Sequence, residues 1–289
     1  MQYPTKSAYG QKVEVYTLPG LTSRGRWRMQ SLQSREKHVF LWFTRGQGQL
    51  RIGSILRGFG PNTVIFIPAG QIHAVIPSAN AQGYASFLPE TLPVPVPVPH
   101  SAGLIKATSI FDQGQMTGYF EQISAEHSNI QPGFEHVIES YLTLLSVWIE
   151  RNHARNEWLL AARPTAAQRL LDRFLRRLED NHQLGLAVST YAAVLDVTPT
   201  HLSRVCREVA GKPALELVQD RVVLAAKYGL AESDIKINEI ATSLGFSSAA
   251  YFTRLFRQST LQSPREFRLQ ARSQNTAERR LGHRKWFQS

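Results

Sequence analysis

Two short stretches of the chain carry arginines and small side chains at the same spacing, fifty positions apart. The sets are Thr200, Ser203, Arg204 and Arg207, and then Ala249, Ala250, Thr253, Arg254 and Arg257. Steps of three and four residues place most of each set on one face of a helix. Arginine donates paired hydrogen bonds to guanine or to phosphate, and slim neighbours let a helix enter the major groove. Both stretches are therefore candidate DNA-recognition helices.

A polar helix face with a few arginines is also an ordinary solvated surface. For one stretch the two interpretations have equal weight, but matched positions in two stretches favour DNA binding. The opposite faces carry apolar residues that we expect to pack inward, namely Leu202, Val205, Cys206 and Val209, and Phe252, Leu255 and Phe256. Cys206 is then a small core residue rather than a redox sensor, because a reactive thiol must be exposed. As the only cysteine, it also excludes an internal disulfide.

A short helix and a tight break must position each recognition helix. In the second copy the break follows Leu244, where Gly245 is expected to adopt a left-handed conformation that ends the first helix. Phe246 is placed to enter the core between the two helices, and Ser247 or Ser248 to cap the next one. This arrangement predicts a helix-turn-helix motif.

The first copy has the same outline with different residues. The break follows Leu195, Thr198 is the expected cap, and Pro199 occupies the first helical position, where its missing N–H is not needed. A helix over about 214–230 then connects the copies, with Leu215, Val218, Val222 and 224–226 packed against both. Two unlike recognition helices on one chain predict two tandem DNA boxes rather than a palindrome.

The charge of the chain agrees with an anionic partner. The net charge is +11, and residues 160–289 carry 20 Lys/Arg against 12 Asp/Glu, whereas residues 1–159 carry 13 against 10. A basic surface kept for solubility is the alternative. No apolar run is long enough to span a membrane, and the first residues lack the apolar core of a secretion signal, so we expect a cytoplasmic protein without membrane contact.

The first 90 residues have the pattern of short strands. Alternation or apolar runs predict strands at 26–30, 38–43, 49–53 and 62–67, separated by Gly and Pro turns. This spacing is typical of a sandwich or small barrel. The proline run at 93–99 excludes a central strand, so we expect a stiff connector or an edge segment.

From residue 134 the apolar period becomes helical. Its stripe is formed by Val137, Ile138, Tyr141, Leu142, Leu145, Trp148 and Ile149, and either packs on the first domain or forms a dimer contact. A second helix is predicted at 165–179. The predicted domains are 1–155 and 165–270, with a mobile basic tail at 271–289 that adds phosphate contacts.

The second module and the residues after it resemble the AraC/XylS family of bacterial transcription regulators. The motifs are IATSLGFS at 240–247, YFTRLFR at 251–257 and SPREFR at 263–268, and the resemblance covers about 160–270. Thr260 and Leu261 depart from the aromatic residue and glycine usual in the family, which leaves the following turn open. Ala249 and Ala250 replace residues that are often polar, so recognition in this module would rely more on Thr253, Arg254 and contact with thymine methyl groups.

The resemblance implies an α+β multidomain chain: an N-terminal cupin-like β-barrel with following helices, then an all-α domain with two helix-turn-helix motifs. It implies a homodimer that binds double-stranded DNA and RNA polymerase and activates transcription in response to a small molecule. Candidate effector-binding residues are Trp27, Arg28, Arg35, Phe40, Trp42 and His73. The arginines favour an organic anion, although each of the six has a structural role as an equal alternative.

A cupin-type enzyme or metal-binding protein fused to a DNA-binding domain is the other hypothesis. The turns at 46–48 and 68–73 resemble those of cupins. However, Arg35 stands about where a cupin metal ligand would be, and His38 and His73 alone do not make a metal site. We therefore predict neither a cofactor nor an enzyme activity.

Overall fold

A computed structural model describes residues 13–90, 98–99, 101–129, 131–153 and 164–284, and for 153 and 275–284 only the backbone. These residues form two compact units, one of 13–22 and 34–153, the other of 23–33 and 164–284. The described residues leave out 93–97 of the proline run and 155–163 of the segment between the two predicted domains.

The first unit contains two antiparallel sheets. Their strands are β1 (Glu14–Thr17), β2 (Lys37–Arg45), β3 (Gly48–Ile52), β4 (Ile55–Phe59), β5 (Thr63–Ile67), β6 (His73–Pro77), β7 (Gln82–Pro89) and β8 (Gly103–Lys106). The five-stranded sheet has the order β1-β7-β2-β5-β8, and the three-stranded sheet has the order β4-β3-β6. Phe43 and Phe59 connect the two sheets, with ring centroids 4.4 Å apart. The strands predicted at 38–43, 49–53 and 62–67 are confirmed.

The strand predicted at 26–30 is wrong. Helix α1 (Leu18–Ser23) is followed by a short helix α2 (Trp27–Gln30), and residues 23–33 belong to the second unit. Five alternating residues fit a strand as well as one helical turn. Here Trp27 packs against helices far along the chain rather than on a sheet.

Two long helices cover one face of the five-stranded sheet. They are α3 (Ile110–Ser128) and α4 (Phe134–His153). The shared core contains Phe40 and Trp42 from the sheet, Phe120 from α3, and Leu142 and Leu145 from α4. The apolar stripe of α4 thus packs within its own unit, which confirms the first of the two alternatives. A dimer contact through this helix stays a prediction.

The second unit is helical apart from its connecting turns. Its elements are α5 (Ala166–Asn181), a 3-10 turn (His182–Leu184), α6 (Val188–Val194), α7 (Pro199–Ala210), α8 (Ala214–Glu232), α9 (Ile237–Ser243), α10 (Ala249–Thr260) and α11 (Pro264–Arg284). The helix predicted at 165–179 is confirmed as α5. Helix α11 continues into the predicted basic tail as far as Arg284, and residues 285–289 lie outside the described residues. The mobility of this tail and its phosphate contacts stay predictions.

Helix α8 connects the two modules, α6–α7 and α9–α10. It contacts the helices of both, as well as α5 and α11. Val222, Leu224 and Ala226 are buried as predicted, but Leu215 is 55% exposed, so its predicted packing is wrong. Arg221 of α8 donates two hydrogen bonds, of 2.7 and 2.8 Å, to the carboxylate of Glu179 in α5. This bidentate pair ties the connecting helix to the helix before the first module.

Candidate nucleic-acid interface

The two recognition helices have the same pattern of burial. Leu202, Val205 and Cys206 are buried in α7, as are Phe252, Leu255 and Phe256 in α10. Thr200, Arg204 and Arg207 are exposed, as are Ala249, Ala250, Arg254 and Arg257, while Ser203 and Thr253 are half-buried. Each predicted recognition face therefore lies at the surface of its module.

Caps fix the start of each recognition helix. The Thr198 hydroxyl accepts a hydrogen bond from the backbone N–H of His201 at 3.1 Å, and Pro199 is the first helical residue. In the second module Ser248, rather than Ser247, accepts from the N–H of Tyr251 at 3.3 Å. Each cap satisfies an N–H that would otherwise lack a partner in the first turn. Both predicted caps are confirmed.

The turns between the helices differ by one residue. Residues 195–198 connect α6 to α7, whereas residues 244–248 connect α9 to α10. Gly245 has φ of 79°, as predicted, and Asp196 holds the corresponding position with φ of 58°. Phe246 is half-buried and packs edge-on against the core residue Phe252, with ring centroids 5.3 Å apart, so the predicted contact with the core is confirmed and full burial is not.

The turn after α10 has the same conformation as the turn after α7, although its sequence departs from the family pattern. Gly211 ends α7 with φ of 77° and ψ of 0°, and Leu261 ends α10 with φ of 62° and ψ of 9°. Both residues are left-handed. The backbone N–H of Gly211 donates to the carbonyl of Arg207, and that of Leu261 donates to the carbonyl of Arg257. A leucine thus occupies a conformation that normally favours glycine.

Arg204 and Arg254, here called the recognition arginines, have different neighbours. One guanidinium nitrogen of Arg204 lies 3.2 Å from Nδ1 of His201, and another lies 3.5 Å from a carboxylate oxygen of Glu208. The guanidinium of Arg254 lies 6.0 Å from the ring centroid of Tyr251. His201 and Tyr251 occupy equivalent positions and were not among the predicted site residues. Their spacing of three residues from an arginine was the available signal.

The thiol of Cys206 is fully buried, and burial raises its pKa to about 12. A thiol with this pKa is almost entirely protonated near neutral pH and is a poor nucleophile. The interpretation of Cys206 as a core residue is confirmed.

Two predicted effector-binding residues lie on the second unit instead of in the sheets. The ring of Trp27 lies 4.8 Å from that of Tyr228 in α8 and 5.9 Å from that of Phe267 in α11. Arg28 forms an ion pair with Glu232, and its guanidinium lies 4.6 Å from the Trp27 ring. The placement of Trp27 and Arg28 in the barrel is therefore wrong.

The other four candidates lie in the first unit. Phe40 and Trp42 are buried beneath α3 and α4, where Trp42 donates to the Thr117 hydroxyl at 3.1 Å. His73 is buried on β6, with Nδ1 2.7 Å from the Gln71 carbonyl. The guanidinium of Arg35 lies 5.2 Å from the Phe87 ring. Their role in effector binding stays a prediction.

Two further observations concern the described residues as a whole. None of their His, Cys, Asp and Glu side chains form a group of three suited to a metal ion. None of the helices among them has the length and apolar character needed to cross a membrane.

Two capped helix-turn-helix modules with arginine-bearing second helices define a DNA-binding protein of the double helix-turn-helix class. A family model described as a helix-turn-helix domain matches residues 191–270. The probable transcription factor PqrA of Proteus vulgaris is 34% identical over 104 residues, covering 35% of this chain and 85% of PqrA. The chain belongs to the AraC/XylS family of transcription regulators, as the motifs predicted.

Two other similarities have lower sequence identity. The bifunctional transcriptional activator/DNA repair enzyme AdaA of Bacillus subtilis is 28% identical over 106 residues, covering 37% of this chain and 50% of AdaA. The chain thus spans half the length of that relative. The apo K231A form of ToxT from Vibrio cholerae is 12% identical, with a TM-score of 0.45 over 90% of this chain and 97% of that one.

Proposed function

We propose that the chain binds double-stranded DNA by placing α7 and α10 against two adjacent major-groove boxes. Arg204 and Arg254 are the base contacts, with Arg207 and Arg257 nearest the phosphates. The unit of sheets then adjusts this binding in response to a small molecule, and the bound protein activates transcription through RNA polymerase. No catalytic step is part of this function.

One observation carries the proposal: the pattern of buried and exposed positions repeats between α7 and α10 at an offset of fifty residues. The inward residues differ in type, as Cys206 and Phe256 show, so each helix has its own core. The outward arginines nevertheless keep their positions. A face that served only solubility would need arginines but no fixed register between two modules.

The test uses a duplex that the full chain selects from a random-sequence library. Arg204→Ala and Arg254→Ala should each weaken binding by about 1–3 kcal/mol and relax base preference at different positions of the duplex. Exposed Arg176 provides the control, because Arg176→Ala removes the same charge from α5, which belongs to neither module. Unchanged affinity and base preference in the double variant Arg204→Ala/Arg254→Ala would refute the assignment.

We also propose that the segment Ser23–Gln33 couples the effector-responsive unit to the DNA-binding unit. It is continuous with β1 and β2 through its two ends, yet it packs on α8 and α11. Gly25, with φ of 122°, leaves room for the Trp27 indole, and a Cβ there would lie 2.2 Å from Nε1 of that ring. Gln33 accepts a hydrogen bond from the Tyr228 hydroxyl at 3.0 Å. Movement of this segment would bear directly on the helix that spaces the modules.

A charge exchange tests this coupling. Arg28→Glu alone should place two carboxylates together and release the segment, whereas Arg28→Glu/Glu232→Arg should restore the pair. We expect the single variant to change promoter output in a reporter strain by more than the double variant does. Equal output from the wild type and both variants would show that the segment has only a structural role. Because Glu232 is half exposed, we expect the ion pair itself to add little to stability.

A further inference from the structure

The backbone of a glycine just before the first module lies against the backbone of a glycine in the second module. Gly185 follows the 3-10 turn that leads into α6, and Gly245 lies in the turn between α9 and α10. A Cβ on Gly185 would lie 2.8 Å from the carbonyl oxygen of Gly245, and a Cβ on Gly245 would lie 2.6 Å from the nitrogen of Gly185. Such distances are shorter than real Cβ contacts, so neither position accepts a side chain without movement of backbone.

We propose that this glycine contact positions the second module against the first and thereby sets the spacing of the two DNA boxes. The inference rests on the proposed binding of two boxes. Helix α8 packs against the helices of both modules, and the glycine contact adds a point of attachment that does not involve α8. We expect this additional attachment to restrict rotation of one module relative to the other more than packing on α8 alone does.

The contact is distinct from the ordinary use of glycine in a turn. Both residues have positive φ, 62° for Gly185 and 79° for Gly245, which alone would favour glycine. Gly211 also has positive φ, 77°, but a Cβ there meets nothing within 4 Å. Gly211→Ala therefore carries the backbone strain without the collision, and it is the matched control for Gly185→Ala.

The first measurement is affinity for three kinds of duplex. They are the library-selected duplex, the same duplex with one box scrambled, and versions with one base pair added or removed between the boxes. Linked modules that engage both boxes gain roughly 10²-fold or more over one box. We expect Gly185→Ala to lose most of this gain and the preference for the selected spacing, with single-box affinity unchanged. Gly211→Ala should keep both.

The second measurement needs no DNA. Spin labels at Glu208→Cys and Gln258→Cys, two exposed positions on α7 and α10, report the distance between the modules, and buried Cys206 stays unlabelled. We expect a shifted or broadened distance distribution for Gly185→Ala and the wild-type distribution for Gly211→Ala. If alanine prevents folding, Gly185→Asn and Gly211→Asn replace the pair, because asparagine tolerates the left-handed backbone.

The outcomes separate the two proposals. A wild-type chain that binds one box as tightly as two would refute the two-box function, while the spin-label distances still decide whether the contact positions the modules. Identical distances and identical spacing preference in Gly185→Ala and Gly211→Ala would overturn the inference, since α8 alone would then set the spacing.

Discussion

The first module, α6–α7, and the second module, α9–α10, share a backbone frame, meaning the positions of their caps, buried residues and helix ends. They differ in the side chains that occupy those positions. Their recognition helices are capped at equivalent positions, buried at equivalent positions and ended by equivalent left-handed residues. The residues that fill the frame differ: Cys206 against Phe256 in the core, and Gly211 against Leu261 at the end. Geometry is thus retained where the helices must be placed, while the side chains that fill each core vary.

The same comparison applies to the recognition arginines. Arg204 is next to an imidazole and a carboxylate, whereas Arg254 is next to a phenol ring. The two modules therefore present the same cation in different settings. We expect the two modules to differ in base preference and in how strongly a nearby charge changes their DNA affinity. The following experiments separate effects of the shared backbone frame from effects of the side chains.

The largest expected effect concerns the core. Phe256 is fully buried and its ring lies 5.5 Å from that of Phe267. Phe256→Ala should lower the free energy of unfolding by about 3–5 kcal/mol, and Cys206→Ala by about 1 kcal/mol, because far fewer buried contacts are lost. Urea denaturation of the two variants provides the values. Equal losses of stability would contradict the expectation that the larger buried side chain contributes more to its core.

The buried thiol predicts a pH dependence for the first module alone. Its pKa in the folded chain is about 12, above the ordinary value of 9.0, so its contribution to stability is complete below pH 9 and is lost as the pH rises towards 12. Between pH 8 and pH 10 the wild type should lose about 1.4 kcal/mol more than Cys206→Ala does. Denaturation at both pH values checks this. Parallel losses in the two proteins would place the thiol in contact with water.

The two helix ends predict opposite effects of glycine. Leu261 is 88% exposed, so Leu261→Gly removes little packing and relieves a left-handed leucine. We expect a gain of about 0.5–1 kcal/mol, and a loss of about 1 kcal/mol for Gly211→Ala at the equivalent position. Thermal denaturation measures both. A loss of stability in Leu261→Gly would show that the side chain has a packing role.

The smallest expected effect tests the neighbours of the recognition arginines. Glu208→Gln removes an exposed partner of Arg204 and a negative charge near the DNA, and should raise DNA affinity by about twofold. Gln258 is its counterpart in α10, so Gln258→Glu should lower affinity by a similar factor. Titration of each variant with the library-selected duplex at low salt measures these affinities. Changes of the same sign in both variants would contradict the equivalence of the two faces.

Local patterns were enough to predict much of the helical unit. Helical spacing around Leu202 and Phe252, together with Thr198, Pro199 and Gly245, predicted both modules to within a few residues. These signals act over one or two turns of chain, so no distant contact is needed to interpret them. Helix α3 was not predicted, because only Met116, Phe120 and Ile123 of its 19 residues are buried and its apolar pattern is sparse.

The effector candidates illustrate the opposite case. Trp27 and Arg28 were assigned to a strand on alternation alone, yet their partners Tyr228 and Glu232 lie some two hundred positions further along the chain. No periodicity of residues 26–30 contains that information. The packing of α3 and α4 on Phe40 and Trp42 is likewise absent from any local pattern around these two residues.

The sequence by itself determined the family, the two helix-turn-helix modules and the outward position of their arginines, because each follows from residue types within a few turns of helix. Only the tertiary structure decided that residues 23–33 pack on α8 and that Gly185 meets Gly245. Those features join residues far apart in the chain, and such contacts exist only once the helices have packed and left no room between two backbones.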